Sequence, residues 1–212
     1  MTDLLPRSTR TLVPIYAPAA LLFASTVGLL CGAGTSWLAG VLPGSWHVLA
    51  DSGAVWTLVA FVLAVVCAGP RWLAVAAGAM ALLCEVAGYY LIAASVQGFA
   101  ATQSEQVLWT VAALWIGPLA GLAGHAARRG TPGWSLTGVL SVLGVLAGEG
   151  LHELYRVGDG PAGCAELSIA VAVGLLTLSV SRAQWQQRWA AVAAGVAVTV
   201  VTALVYGQAV LG

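Results

Sequence analysis

Seven long apolar runs, separated by short polar or turn-forming segments, dominate the hydropathy pattern of this chain. Each run approaches the roughly 20 residues that an α-helix needs to cross a bilayer. The pattern therefore predicts an all-α polytopic membrane protein, a seven-transmembrane-helix bundle that forms a single domain over residues 1–212. The predicted helices are Ile15–Ala33, Ala50–Ala68, Trp72–Val96, Gln106–Ala127, Trp134–His152, Ala162–Ser181 and Trp189–Leu211.

The stretch Gly34–Leu49 separates the first two predicted helices, and we expect it to be an aromatic-rich loop. It contains Trp37, Trp46 and His47 together with the helix breaker Pro43. Amphipathic aromatic rings are enriched at the headgroup level of membranes, so this loop is expected to anchor the chain at the interface. The alternative is a lid over the mouth of the bundle.

Arginine placement predicts the orientation of the bundle. With seven helices, all arginines except Arg156 fall on one side of the membrane. Because short cytoplasmic loops are enriched in basic residues, the N-terminus is predicted to be cytoplasmic and the C-terminus to lie outside. The arginines on the predicted cytoplasmic side are Arg7, Arg10, Arg71, Arg128, Arg129, Arg182 and Arg188.

Composition supports a membrane protein and excludes several classes of function. Charged residues make up 8% of the chain, against about 25% in a soluble domain. The chain has no lysine, which excludes a retinal Schiff base and a P-loop. Its net charge is zero and it has no basic tract, so nucleic acid is not an expected partner. The lysine-free, arginine-containing composition favours an actinobacterial protein of the plasma membrane.

The sequence predicts neither a metal site nor an organic cofactor. The cysteines show no metal-ligand spacing and are expected to be small apolar residues of the core. His125 lies near one predicted membrane face, and His47 and His152 lie near the other, which leaves no buried pair for haem.

Carboxylates within the apolar runs are the strongest functional signal in the sequence. Glu85, Glu149 and Glu166 lie inside predicted helices, and Glu153 follows just beyond one of them. A charged side chain at mid-membrane costs at least ~2.5 kcal/mol, so such residues usually face a cavity or a partner. At a rise of ~1.5 Å per residue, Glu85 lies just past the midplane, and the other three lie further toward the outer side. The acidic residues are thus predicted to converge on the outer half.

The segment 148–156 is the densest polar part of the predicted helices. Glu149 and Glu153 are four residues apart, so they share one helical face with His152. The alternative is a solvated helix end, in which Glu153 and Arg156 form an ordinary surface ion pair. For Glu85, the alternative to a functional role is a structural hydrogen bond to another helix.

Aromatic residues near these carboxylates are candidates for lining a pocket. Tyr89 lies one helical turn after Glu85, and Trp115 lies near mid-membrane. Aromatic faces stabilise cations, although bundle packing is an alternative role for each ring. The candidate substrate-binding residues are Trp56, Tyr89, Tyr90, Trp109, Trp115, His152, Glu153 and Glu166.

A cavity walled by aromatic rings and carboxyl groups suits acid-initiated cyclisation of a prenyl chain. The seven predicted helices and membrane-buried glutamates resemble the small integral-membrane terpene cyclases of actinomycete and fungal meroterpenoid and indole-terpenoid pathways. The resemblance extends over the whole chain in topology and composition, without a shared motif. It implies a lipophilic prenylated substrate, with Glu85 and Glu149 as the catalytic acid and base.

Two other functions remain open from the sequence. Intramembrane carboxylates also serve as proton relays in transporters, so a proton-coupled permease of a small molecule is the first alternative. The apparent lack of an internal repeat and the apolar cytoplasmic half count against it. The second alternative is a membrane scaffold subunit whose glutamates bond to another chain.

Overall fold

The computed structural model describes residues 13–67, 69–98 and 101–209, and in these ranges every regular element is helical. Eight α-helices and one π-helical turn follow each other along the chain. They are α1 (Val13–Val41), α2 (Trp46–Ala50), α3 (Gly53–Val66), α4 (Arg71–Ser95), α5 (Gln103–Arg129), α6 (Pro132–His152), the π-helical turn Glu153–Val157, α7 (Gly160–Val180) and α8 (Trp185–Ala209).

The seven predicted spans are confirmed, since seven segments of the described chain are long and apolar enough to cross a membrane. The short helix α2 and helix α3 together make the second span, Trp46–Val66. The protein is therefore an integral membrane protein with an all-α, seven-span bundle. Pro161 stands in the first turn of α7, where the missing N–H of proline costs nothing.

The prediction of a loop over Gly34–Leu49 is wrong for most of its length. Helix α1 continues to Val41, and α2 begins at Trp46, which leaves only residues 42–45 as a connection. Interhelical contact supports the extra turns, because the Gln97 side-chain amide donates to the Ser36 carbonyl at 2.5 Å. Trp37 and Trp46 are both exposed, as interfacial anchors would be.

Helices α1 and α4 approach each other closely through small residues. A Cβ on Gly32 would lie 2.7 Å from the Glu85 Cα, and a Cβ on Gly28 would lie 3.0 Å from the Ala81 Cα. Small residues at such positions let helix backbones pack directly in a membrane, where no hydrophobic force drives helices together. Glu85 is consequently held in the tightest part of this interface.

Two groups of helices share the bundle. Helix α4 packs against α1, α3 and α5, while α6 packs against α3, α5, α7 and α8. Helices α3 and α5 therefore join the two groups, and a site beside the start of α3 can draw residues from both.

The two ends of the bundle differ in charge. We call one the arginine end and the other the acidic end. Arg128 donates to the Val65 carbonyl at 2.8 Å, and Arg188 donates to the Ser181 carbonyl at 2.7 Å, so arginines satisfy backbone groups at the arginine end. Arg7 and Arg10 lie outside the described residues. The arginine end carries Arg71, Arg128, Arg129, Arg182 and Arg188, and the acidic end carries Asp51, Glu105, Glu153 and Asp159.

Candidate functional site

A small cavity of about 150 Å³ lies at the acidic end, where α2 gives way to α3. It is enclosed by the starts of α3 and α5 and the last turns of α4. Its wall combines aromatic rings with two carboxyl side chains. The lining residues are Asp51, Gly53, Trp56, Tyr89, Tyr90, Ala101, Glu105 and Trp109.

Four of the five predicted pocket aromatics form this wall. The Trp56 ring centroid lies 5.2 Å from that of Tyr89 and 6.1 Å from that of Trp109. Tyr89 and Tyr90 meet edge to face at 5.6 Å. These separations are typical of interacting aromatic pairs, so the rings stabilise one another as a unit. The fifth, Trp115, is 73% exposed and lies on the outer surface of α5, away from the cavity.

The two carboxyl groups of the cavity differ in how they are bonded. Glu105 belongs to the first turn of α5 and closes a capping box, accepting from the Thr102 backbone N–H at 2.8 Å. Asp51 follows the last residue of α2, and its carboxyl lies beside the Tyr89 hydroxyl and near the His47 ring. Asp51 is thus the cavity carboxyl that is not committed to capping a helix.

Glu149 lies next to the cavity and caps the start of α3 from across the bundle. Its Oε1 accepts from the Gly53 N–H at 3.1 Å, and its Oε2 accepts from the Ala54 N–H at 2.6 Å. The Tyr206 hydroxyl donates to Oε2 at 3.3 Å. A helix N-terminus carries unpaired N–H groups and a partial positive charge, so it favours a carboxylate at this place. Glu149 thereby joins α6 and α8 to α3.

The break between α2 and α3 creates this helix start inside the second span. Ser52 is the N-cap of α3, and its hydroxyl accepts from the Val55 N–H at 3.2 Å. Gly53 then serves both regions, because it lines the cavity while its N–H donates to Glu149. A Cβ at Gly53 would collide with the Tyr206 hydroxyl and would reach the Trp109 ring at 3.4 Å. The cavity and the Glu149 contacts are therefore parts of one structure.

Glu149, Glu153 and Glu166 form a buried carboxyl cluster beneath the cavity. Glu166 is 1% exposed and has Glu149, Glu153 and the Ser52 hydroxyl as its polar neighbours. Glu153 begins the π-helical turn and lies near Asp159 and His47. These three glutamates therefore lie together, whereas the sequence analysis expected Glu85 to converge with them. His152 is also buried here, and its ring lies 5.6 Å from the Tyr206 ring.

Glu85 lies apart from both the cavity and this cluster. It is fully buried on α4, and the Cys31 thiol on α1 is a titratable neighbour. Neither of its carboxyl oxygens has a hydrogen-bond partner among the described residues. The pairing of Glu85 with Glu149 as acid and base across one cavity finds no support in these contacts.

Four side chains of the site were not among the predicted site residues: Asp51, Ser52, Glu105 and Tyr206. A serine followed by a short apolar helix is an N-cap signal, so the break at Ser52 was open to detection. The motif Thr102–Glu105 likewise has the spacing of a capping box. Nothing in the sequence near Tyr206 distinguishes it from other helix-end tyrosines. Within the described ranges, no three His, Cys, Asp or Glu side chains are placed to hold a metal ion.

The fold and the site define a seven-span integral membrane protein in which carboxyl groups adjoin an aromatic cavity at one end of the bundle. The chain belongs to DUF6518, a family of unknown function, whose family model matches residues 13–211. Neither a curated protein nor a solved structure matches the chain.

Proposed function

We propose that this protein is a membrane-embedded acid–base enzyme that cyclises the prenyl chain of a lipophilic substrate at the acidic end of the bundle. The observation that carries the proposal is the aromatic cavity, because it combines four rings with two carboxyl groups. On the predicted orientation the cavity faces the outer side of a bacterial plasma membrane.

The proposed reaction is an isomerisation that adds one proton and releases one proton. A carboxylic acid protonates a terminal alkene, and the resulting carbocation is attacked by a second alkene to form a ring. Loss of a proton from carbon to a carboxylate then restores an alkene. Rings such as those of Trp56 and Trp109 stabilise the cation through their faces. Asp51 is the best candidate for the acid, since its carboxyl lines the cavity, while only its backbone N–H caps α2.

Cavity size limits which part of the substrate enters. A cavity of about 150 Å³ holds a molecule of the size of benzene. That is enough for a single isoprene unit and too little for a farnesyl chain, since ligand pockets usually measure about 300–1,000 Å³. We therefore expect the terminal alkene that is protonated to occupy the cavity, while the second alkene closes the ring at the cavity mouth and the rest of the chain lies along the lipid-facing helices.

A second candidate is a proton-coupled transporter of a small organic cation. The same combination of aromatic faces and carboxylates suits a substituted ammonium ion as well as a carbocation. A transporter additionally needs a path to the arginine end.

An isotope experiment tests the enzyme and separates it from the transporter. Membranes that carry the protein are incubated in D₂O with farnesyl- and geranylgeranyl-substituted aromatics, and products are read by LC–MS. The expected product is an isomer of its substrate with one deuterium on carbon. Asp51→Asn should abolish its formation, whereas Trp115→Phe, on the outer surface, should leave the rate unchanged. Uptake of an organic cation driven by a pH gradient, without any isomer, would favour the transporter.

A further inference from the structure

Glu149 is hydrogen-bonded in a way that favours its carboxylate form. Both of its oxygens accept hydrogen bonds, and the three donors are two N–H groups at the start of α3 and the Tyr206 hydroxyl. A proton on either oxygen would compete with these donors for the lone pairs of that oxygen. The partial positive charge of the helix start acts in the same direction. Glu149 is thus the fixed negative charge of the carboxyl cluster.

Glu166 is placed beside this charge by two glycines. Helices α6 and α7 meet at Gly150 and Gly163, where a Cβ on Gly163 would lie 2.6 Å from the Gly150 carbonyl oxygen. The Glu166 Cβ lies next to Gly150, 3.1 Å from the position that a Cβ on Gly150 would occupy. Glu166 follows Gly163 by roughly one helical turn and faces the residue beside Gly150, which is Glu149.

Glu166 lacks the backbone N–H groups and the Tyr206 hydrogen bond that Glu149 has. It is 1% exposed, and in the described part of the chain neither of its oxygens has a hydrogen-bond partner. A second negative charge beside Glu149, away from water and without donors, is strongly disfavoured. The groups that face Glu166 are Glu149 on α6, Glu153 on the π-helical turn, the Ser52 hydroxyl and Tyr206 on α8, and none of these four is a cation.

We infer that Glu149 and Glu166 form a proton-binding site, in which Glu149 remains a carboxylate and Glu166 holds the proton as the neutral acid. Glu153 connects this pair to the acidic end, since it neighbours Glu166 on one side and Asp159 and His47 on the other. Ser52 connects the pair to Asp51, the next residue along the chain, in the cavity. The assignment of the proton does not depend on the proposed reaction.

Infrared spectroscopy of the protein in lipid nanodiscs tests the inference. A protonated carboxylic acid gives a carbonyl band that shifts in D₂O and that a carboxylate lacks. Glu85 is also buried and without donors among the described residues, and Asp51 is the acid of the proposed function, so the double variant Glu85→Gln/Asp51→Asn is used as the background to remove both contributions. In that background we expect a remaining band at neutral pH, which Glu166→Gln abolishes. The matched control is Glu153→Gln, which should leave the band in place.

Thermal melting of the same variants supplies an independent readout. Glutamine has the shape of a neutral glutamic acid, so Glu166→Gln should melt at the temperature of the parent protein. The inference is overturned if, in the double-variant background, the band persists in Glu166→Gln, if Glu153→Gln removes it, or if that background shows no band. It is equally overturned if Glu166→Gln fails to fold, because a neutral side chain of this shape must fit a site built for the acid.

Discussion

Glu149 and Glu85 are both glutamates buried in apolar helices, yet their surroundings differ in almost every respect. Glu149 accepts three hydrogen bonds at the start of α3, where a break in the second span exposes backbone N–H groups. Glu85 lies on the uninterrupted helix α4 against the glycines of α1, and no described donor reaches it. The difference shows that an intramembrane carboxylate acquires its role from broken or close-packed helices around it.

At the acidic end, some carboxyl groups hold the fold together, and others are available for the proposed chemistry. Glu149 is committed to holding α3, whose first turns supply Gly53 and Trp56 to the cavity. Asp51 and Glu166 are not committed in this way. We therefore expect variants of Glu149 to act mainly through stability, and variants of Asp51 mainly through activity.

The largest loss in free energy of unfolding is expected for Glu149→Ala. This substitution leaves the Gly53 and Ala54 N–H groups and the Tyr206 hydroxyl without their acceptor. Buried donors without partners cost about 1–3 kcal/mol each, so the loss in free energy of unfolding should be about 3 kcal/mol after partial relaxation. Unfolding monitored in detergent micelles measures it. A loss below about 1 kcal/mol would contradict the capping role.

A somewhat smaller loss of stability is expected for Gly32→Ala, at the position on α1 that packs against Glu85. The added Cβ would lie 2.7 Å from the Glu85 Cα, so α1 and α4 must move apart. Overpacking of this kind costs about 2 kcal/mol. Gly34→Ala is the matched control, because nothing lies within 4 Å of a Cβ there. Equal melting temperatures for the two variants would argue against close packing of α1 and α4.

Tyr206→Phe, which removes a hydrogen-bond donor to Glu149, should lower the free energy of unfolding moderately. It removes one of three donors and leaves both backbone bonds in place, so we expect about 1 kcal/mol of destabilisation. In a double-mutant cycle with Glu149→Ala the effect should disappear, since the hydroxyl then has no acceptor. Strict additivity of the two substitutions would show that the hydroxyl does not contact Glu149.

The smallest effect is expected for Glu85→Gln. A buried carboxyl without donors is most stable as the neutral acid, and glutamine reproduces its shape and neutrality. The change in free energy of unfolding should be about 0.5 kcal/mol or less. Melting temperatures of Glu85→Gln and Glu149→Gln, measured side by side, give the comparison directly. Destabilisation of both variants by the same amount would contradict the difference drawn between the two sites.

Much of the architecture follows from the sequence, because hydropathy alone locates seven spans. The convergence of Glu149, Glu153 and Glu166 on one end also follows, since depth can be counted along each helix. The extension of α1 to Val41 does not follow, because Gly34 resembles a helix stop unless the packing of α1 is known. The contact between Glu149 and Ala54 does not follow either, since 95 residues separate them and only the packing of α3 on α6 joins them.

Amide exchange at Gly53 and Ala54, read residue by residue in nanodiscs, tests most directly whether Glu149 holds the start of α3. Both amides should be protected in the parent protein and in Glu85→Gln, and both should exchange much faster in Glu149→Gln. Unchanged protection in Glu149→Gln would contradict the capping contact, and loss of protection in Glu85→Gln would contradict the separation of the two sites.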